Sequence, residues 1–140
     1  MSLQPKHLYV NLPVKDLDKS VSFFTKLGFE FSAEFTDENA TGMIINENTF
    51  VMLLVEDFFK QFTNKELTDA TKGTEAIMAI SAQSREQVVE IVNKALDAGG
   101  KPSYGIVDHG FMYGGSFQDI DGHLWEVMYM DESAMSQGHD

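Results

Sequence analysis

The chain has 140 residues, 43% hydrophobic and 23% charged, enough for one globular domain whose core needs no disulfide or structural metal. Cysteine is absent, which excludes disulfide frameworks, thiol nucleophiles, zinc ribbons and iron–sulfur ligation. With 22 acidic against 10 basic residues (net −12) and Arg85 the single arginine, the basic stripe of a nucleic-acid binder is missing and a bidentate clamp on a dianionic substrate is disfavoured.

Lys6–Val14 alternates Leu8, Val10, Leu12 and Val14 against His7, Tyr9, Asn11 and Pro13, the pattern of a half-buried strand. The spacing of Leu17, Val21, Phe24 and Leu27 then predicts a helix over 16–27, with Asp16 as N-cap and Gly28 just past its end. Three strands are expected next: Glu30–Thr36, Thr41–Ile45 and, beyond an Asn-Glu-Asn turn, Thr49–Val55. Glu56–Gly73 scatters Phe58, Phe59, Phe62 and Leu67 among polar residues and reads as a linker with a short helix. Ala76–Ala82 is a short apolar strand. A second helix over 85–98 carries Val88, Val92, Ala95 and Leu96 on one face, with Ser84 and Gln87 as a capping box and Gly99-Gly100 at its end. Ser103–Val107, Phe111–Gln118 and His123–Met130 complete the strands, the last two joined by Asp-Ile-Asp-Gly. From Asp131 the chain has no core pattern and is expected to fray. No apolar run reaches about 18 residues, and Met1-Ser2-Leu3-Gln4-Pro5 lacks the regions of a signal peptide, so no membrane association and a cytoplasmic location are expected.

The order is strand–helix–three strands, twice, with Tyr9 and Ile77 each seven residues before a helix cap. The repeat is one of pattern, with negligible identity between the halves. It divides the chain into module one (about 6–55), a linker (56–74), module two (about 75–130) and the tail (131–140) of a single domain.

Two stretches carry a resemblance. Asn-Leu-Pro-Val-Lys-Asp-Leu-Asp-Lys-Ser-Val-Ser-Phe-Phe-Thr-Lys-Leu-Gly-Phe (11–29) is similar to the first strand and helix of the vicinal oxygen chelate superfamily. Gln-Asp-Ile-Asp-Gly-His-Leu-Trp-Glu-Val (118–127) resembles its Asp-Pro-Asp-Gly-His hairpin and following glutamate strand, with Ile120 where proline usually stands. That superfamily includes glyoxalase I, bleomycin- and fosfomycin-resistance proteins and extradiol dioxygenases. The resemblance spans residues 6–130 and implies an α+β fold of two βαβββ modules, each a curved mixed sheet around a cavity with its helix on the outer face. It further implies a homodimer.

By parity, Leu8, Val10, Leu12 and Trp125 should face the helices. The opposite parity should line the cavity: His7, Tyr9, Asn11, Phe50, Met52, Leu54, Ile77, Leu124, Glu126 and Met128. The expected ligand-binding set is Tyr9, Asn11, Phe50, Met52, Leu54, Ile77, Gln118 and Met128. Its walls suit a small apolar or aromatic molecule better than a charged tripeptide conjugate, which disfavours a glutathione-dependent glyoxalase I.

The resemblance also implies four metal-ligand positions, one on the first and one on the last strand of each module. They fall here on Tyr9, Leu54, Ile77 and Glu126, and only Glu126 is a good ligand for a divalent cation. A two-residue slip preserves parity and offers His7, Glu75 and Glu126 for zinc, nickel, manganese or iron, but it displaces a ligand by roughly 6.6 Å along its strand. The expectation is a metal-independent cavity, with that trio as the alternative. Glu126 is the catalytic candidate, as a general base beside a carbonyl in lyase, isomerase or dioxygenase-type chemistry. The competing reading has it satisfied by Tyr9, Asn11 or Gln118. His123, of opposite parity, should pack at the turn. His109, in Asp108-His109-Gly110, sits in a loop that is either solvated or folded over the cavity mouth. His139 lies in the tail. No serine has the surroundings of a hydrolytic triad, and Gly114-Gly115 marks a bulge or a close backbone approach rather than a phosphate loop.

Overall fold

A computed structural model describes residues 2–131 and Ser133; most of the tail expected to fray, His139 included, lies outside them. The chain divides into two compact units, residues 1–67 and 68–140. No helix among the described residues is long and apolar enough to cross a membrane.

In the first unit, β1 (Leu8–Val14) runs parallel to β4 (Thr49–Val55), and β3 (Ala40–Asn46) and β2 (Glu30–Ser32) follow antiparallel, in the order β1-β4-β3-β2. Helix α1 (Leu17–Leu27) begins where the Asp16 side chain accepts the Lys19 N–H at 3.1 Å, and it ends at Gly28 with φ 110°. Such a left-handed residue is what favours glycine there. The buried stripe of α1 is Ser20, Phe23, Phe24 and Leu27. Leu17 and Val21, expected in that stripe, are only half-buried, because the bulkier Phe23 takes the core position. Sheet residues Leu12, Val14, Met43, Val51 and Leu53 complete this core. Leu8 has helix-facing parity but is 58% exposed, so the cover ends before the first residue of β1.

The strand expected over Glu30–Thr36 stops at Ser32 and turns as a 3-10 helix, Ala33–Phe35. The turn lays Phe35 edge-on against Tyr9 and Phe50, with ring centroids 6.0 and 5.5 Å away. A Cβ on Gly42 would sit 3.0 Å from Phe35 Cβ and 3.2 Å from Met52 Sδ, so the glycine makes room for that ring. A short helix α2 (Glu56–Phe59) and a 3-10 turn, Lys60–Phe62, follow.

The second unit repeats the plan. Strand β5 (Ile77–Ser81) runs parallel to β9 (Leu124–Met130), β9 pairs antiparallel with β8 (Met112–Gln118), and β8 pairs with both β6 (Lys101–Pro102) and β7 (Val107–Asp108). Helix α3 (Arg85–Asp97) starts at Ser84, whose Oγ accepts the Gln87 N–H at 3.0 Å. The Gln87 side-chain Oε1 accepts the Gln83 N–H at 2.7 Å, so the reciprocal bond of the capping box forms one residue earlier than its usual place. Val88, Val92 and Ala95 are buried, while Leu96 is turned outward. Phe117, Trp125 and Val127, on the sheet face toward α3, are almost inaccessible.

Of the strand expected over Ser103–Val107, residues 103–106 are instead a loop between β6 and β7, and Val107 alone is in a strand, β7. At its centre the Tyr104 carbonyl accepts from the Ser116 hydroxyl at 2.7 Å, a side-chain partner that replaces a ladder bond. Register along β8–β9 is continuous, so Gly114-Gly115 is not a bulge. Gly115 marks a close approach: an added Cβ would lie 2.9 Å from Val92 Cγ2 and 2.7 Å from Ile106 Cδ1. Gly115→Ala should therefore destabilise the fold by about 1–3 kcal/mol through overpacking, read as a lower urea midpoint at unchanged slope.

Candidate functional site

Strand alternation sends Glu126 and Met128 of β9 to the sheet face away from α3, beside Ser116, Gly114 and Met112 of β8. The β6–β7 loop and its continuation add Tyr104, Val107 and His109. Together they line an open cavity of 170 Å³. Ser116 stands directly opposite Glu126 across the antiparallel pair, and Ala79 of β5 flanks Glu126 on its other side. Glu126 is half-buried, and among the described residues nothing hydrogen-bonds or ion-pairs with its carboxylate.

Arg85, at the start of α3, ties down the segment bearing His109. Its Nη1 lies 2.9 Å from Asp108 Oδ2, its Nη2 donates to the Gly110 carbonyl at 3.0 Å, and its guanidinium sits 4.9 Å from the centre of the Tyr113 ring. The Gly110 N–H closes the turn onto Asp108 Oδ1 at 2.8 Å. The Gly110 N–H first, and Arg85 after it, hold the Asp108 carboxyl below its ordinary value. That contribution to the fold is present above the unfolded value of 3.8 and is lost as pH falls through the lowered one. In Arg85→Ala the amides of His109 and Gly110 should exchange with solvent about tenfold faster while the global unfolding midpoint barely moves, as expected for a local clamp on an exposed loop.

At the β8–β9 hairpin, a second cluster is structural. The Asp119 carboxylate, 3% exposed, accepts Trp125 Nε1–H at 3.0 Å on one oxygen. Its other oxygen accepts the backbone N–H groups of Asp121 and His123 at 2.9 and 3.0 Å. Burial raises the Asp119 pKa, opposed by His123 and by these hydrogen bonds. The buried His123 ring places Nδ1 2.8 Å from Glu75 Oε1. Sequence reasoning placed His123 at the turn but missed its partner, because Glu75 precedes β5 and lies far from His123 in the chain.

Of the residues singled out from the sequence, Glu126 and Met128 line this cavity. Gln118 donates instead to the Pro102 carbonyl at 3.2 Å. Ile77 shares the face of Glu126 by register but is 51% exposed outside the cavity. Tyr9, Asn11, Phe50, Met52 and Leu54 have the same parity in the first unit's sheet, where Tyr9 stacks on Phe50 at 5.5 Å and Phe35 covers both. Sequence reasoning passed over Tyr104, Val107, Met112 and Ser116: Met112 and Ser116 share the Glu126 face by strand parity and register, Val107 comes from β7, and Tyr104 from the loop before it.

The donor chemistry does not fit a divalent metal. Leu54 and Ile77 carry no ligand atom, the Tyr9 ring is stacked between His7 and Phe50, and Glu75 is engaged by His123. Among the described residues no three histidine, aspartate or glutamate side chains are grouped to hold an ion.

The family model described as Glyoxalase/Bleomycin resistance protein/Dioxygenase superfamily matches residues 6–127. Among solved structures, a hypothetical protein from S. aureus is similar at 27% identity and TM-score 0.77, covering 89% of this chain and 93% of its own. A glyoxalase-related enzyme from Fulvimarina pelagi matches at 17% identity and TM-score 0.75, covering 86% and 85%. A glyoxalase/bleomycin resistance protein/dioxygenase family enzyme from Burkholderia phytofirmans PsJN matches at 15% identity and TM-score 0.72, covering 87% and 96%. At such identities the last two share the fold alone. No curated protein matches.

Proposed function

Since the chain belongs to the Glyoxalase/Bleomycin resistance protein/Dioxygenase superfamily, we propose that it binds a small, largely apolar or aromatic molecule without a metal, in the Glu126 cavity. The observation that carries this reading is a single unpaired carboxylate set among Val107, Met112 and Met128 in an open cavity. Apolar walls supply affinity by shedding water, the methionines adapt to shape, and one polar group fixes orientation. Metal independence is supported by the side chains at the four positions where the superfamily places ligands: Leu54 and Ile77 carry no ligand atom, and the stacked Tyr9 is a poor ligand beside Glu126.

A second reading has Glu126 as a general base in lyase, isomerase or dioxygenase-type chemistry. What favours it is the same free carboxylate, with no partner to surrender before taking a proton. Exposed apolar residues Leu8 and Ile77 support the homodimer of this reading, and the absence of a membrane-crossing helix among the described residues supports a cytoplasmic location.

The test pairs a fragment screen with metal loading. Amide spectra should shift at Gly114, Ser116, Glu126 and Met128 with small apolar or aromatic fragments. Protein loaded with zinc, nickel, manganese or iron should retain less than one equivalent. Stoichiometric metal that Glu126→Gln abolishes would overturn metal independence, and shifts confined to other residues would overturn the site.

A further inference from the structure

The Glu126 cavity is rich in acceptors and poor in donors, and we propose that it selects small monocations: a primary amine, amidine or guanidine carried on a compact apolar or aromatic body. This rests on the cavity being the ligand site and goes further by fixing the charge of the ligand.

An ionised glutamate only accepts, and nothing among the described residues donates to Glu126. Ser116, opposite it in register, has one hydroxyl hydrogen, already given to the Tyr104 carbonyl at 2.7 Å, so Ser116 offers the cavity only lone pairs. No lysine or arginine lines the cavity, and Arg85, the one arginine, is spent on Asp108 and Gly110. The remaining polar side chains, Tyr104 and His109, are exposed. An apolar ligand that covered Glu126 would therefore strip water from a carboxylate without replacing its hydrogen bonds, which weakens its binding. An ammonium or amidinium returns both donors and charge. It can bridge Glu126 and Ser116, which stand on adjacent strands. An anion of the same shape meets a carboxylate and two lone pairs, with side-chain donors only on the exposed Tyr104 and His109 at its rim. The net charge of −12 adds a long-range bias in the same direction, drawing cations in and turning anions away. At 170 Å³ the cavity has room for one ring or a short chain beside the charged head.

Benzylamine, benzyl alcohol and benzoate share one ring and differ in the head group, and butylamine with butanol repeats the comparison without the ring. Each is titrated into the wild-type protein at neutral pH while the amides of Gly114, Ser116, Glu126 and Met128 are followed. The amines should bind at least about tenfold tighter than the alcohols, benzoate should not bind, and added salt should weaken only the amines. In Glu126→Gln, which is nearly isosteric and should fold normally, the preference for amines should disappear while the alcohols bind as before. Alcohols binding as tightly as amines at these amides would overturn the charge selection and leave the ligand site standing. No shift at these amides with any of the five would overturn both. The wild-type comparison decides the matter even if the variant folds poorly.

Discussion

Replacing Asp119 by alanine should cost about 3–5 kcal/mol of folding stability, seen as a large drop in the urea midpoint. Three donors converge on this one buried carboxylate: the Trp125 indole and the backbone N–H groups of Asp121 and His123. Alanine orphans all three, and each buried donor left unpaired costs about 1–3 kcal/mol. It also removes a negative charge that interacts with the buried His123. The pH dependence has an unusual sign. Because burial raises the Asp119 pKa, the native state holds that proton more tightly than the unfolded chain does. The stabilisation is fully present below the unfolded value of 3.8 and is lost as pH rises through the native one. Asparagine cannot titrate. The stability gap between wild type and Asp119→Asn should therefore widen as pH is lowered from neutrality, the reverse of the usual behaviour of a salt-bridged aspartate.

Trp125→Ala should be as damaging, at about 3–5 kcal/mol, and should lower the thermal midpoint correspondingly. Its ring is fully buried on the sheet face toward α3, parallel to Phe117 with centroids 6.4 Å apart. Removing it leaves a cavity that the sheet backbone cannot collapse to fill, and it deprives Asp119 of a donor. Because the two side chains share one hydrogen bond, the double variant should lose less than the sum of the single losses. Additive losses in a double-mutant cycle would mean that the indole–carboxylate bond contributes nothing.

Much of the fold is legible because local rules decide it. Asp16 and Ser84 cap their helices, Gly28 closes the first, and Thr49–Val55 is strand β4 residue for residue. Parity places Glu126 and Trp125 on opposite faces of β9, and that follows from the period of two alone. What escaped depends on contacts between distant segments. The α1 stripe includes Ser20 and Phe23 because the packing of Phe23 against the sheet sets how the helix is rotated, which the spacing of leucines and valines does not record. The Ser103–Val107 segment has strand-like side chains, yet the Ser116 hydroxyl captures its Tyr104 carbonyl. The segment before Val107 is a loop held by that bond, and it brings Tyr104 and Gly105 to the cavity wall. The expected wall residues of the first unit have the expected parity, but Phe35 covers part of that face through a 3-10 turn no period announces.

Phe35 makes the two repeats of one plan unequal. Each repeat has one sheet face turned away from its helix, and either face is a place where recognition can act. In the first copy Phe35, seated over Gly42 and against Tyr9 and Phe50, is a built-in occupant. That face is maintained by ring packing and can exchange one apolar residue for another. The second copy keeps its face open around Glu126 and is answerable to whatever enters it. One half closes its face with its own side chain and the other leaves its face to recognise, while both keep the same rhythm of strands and helices.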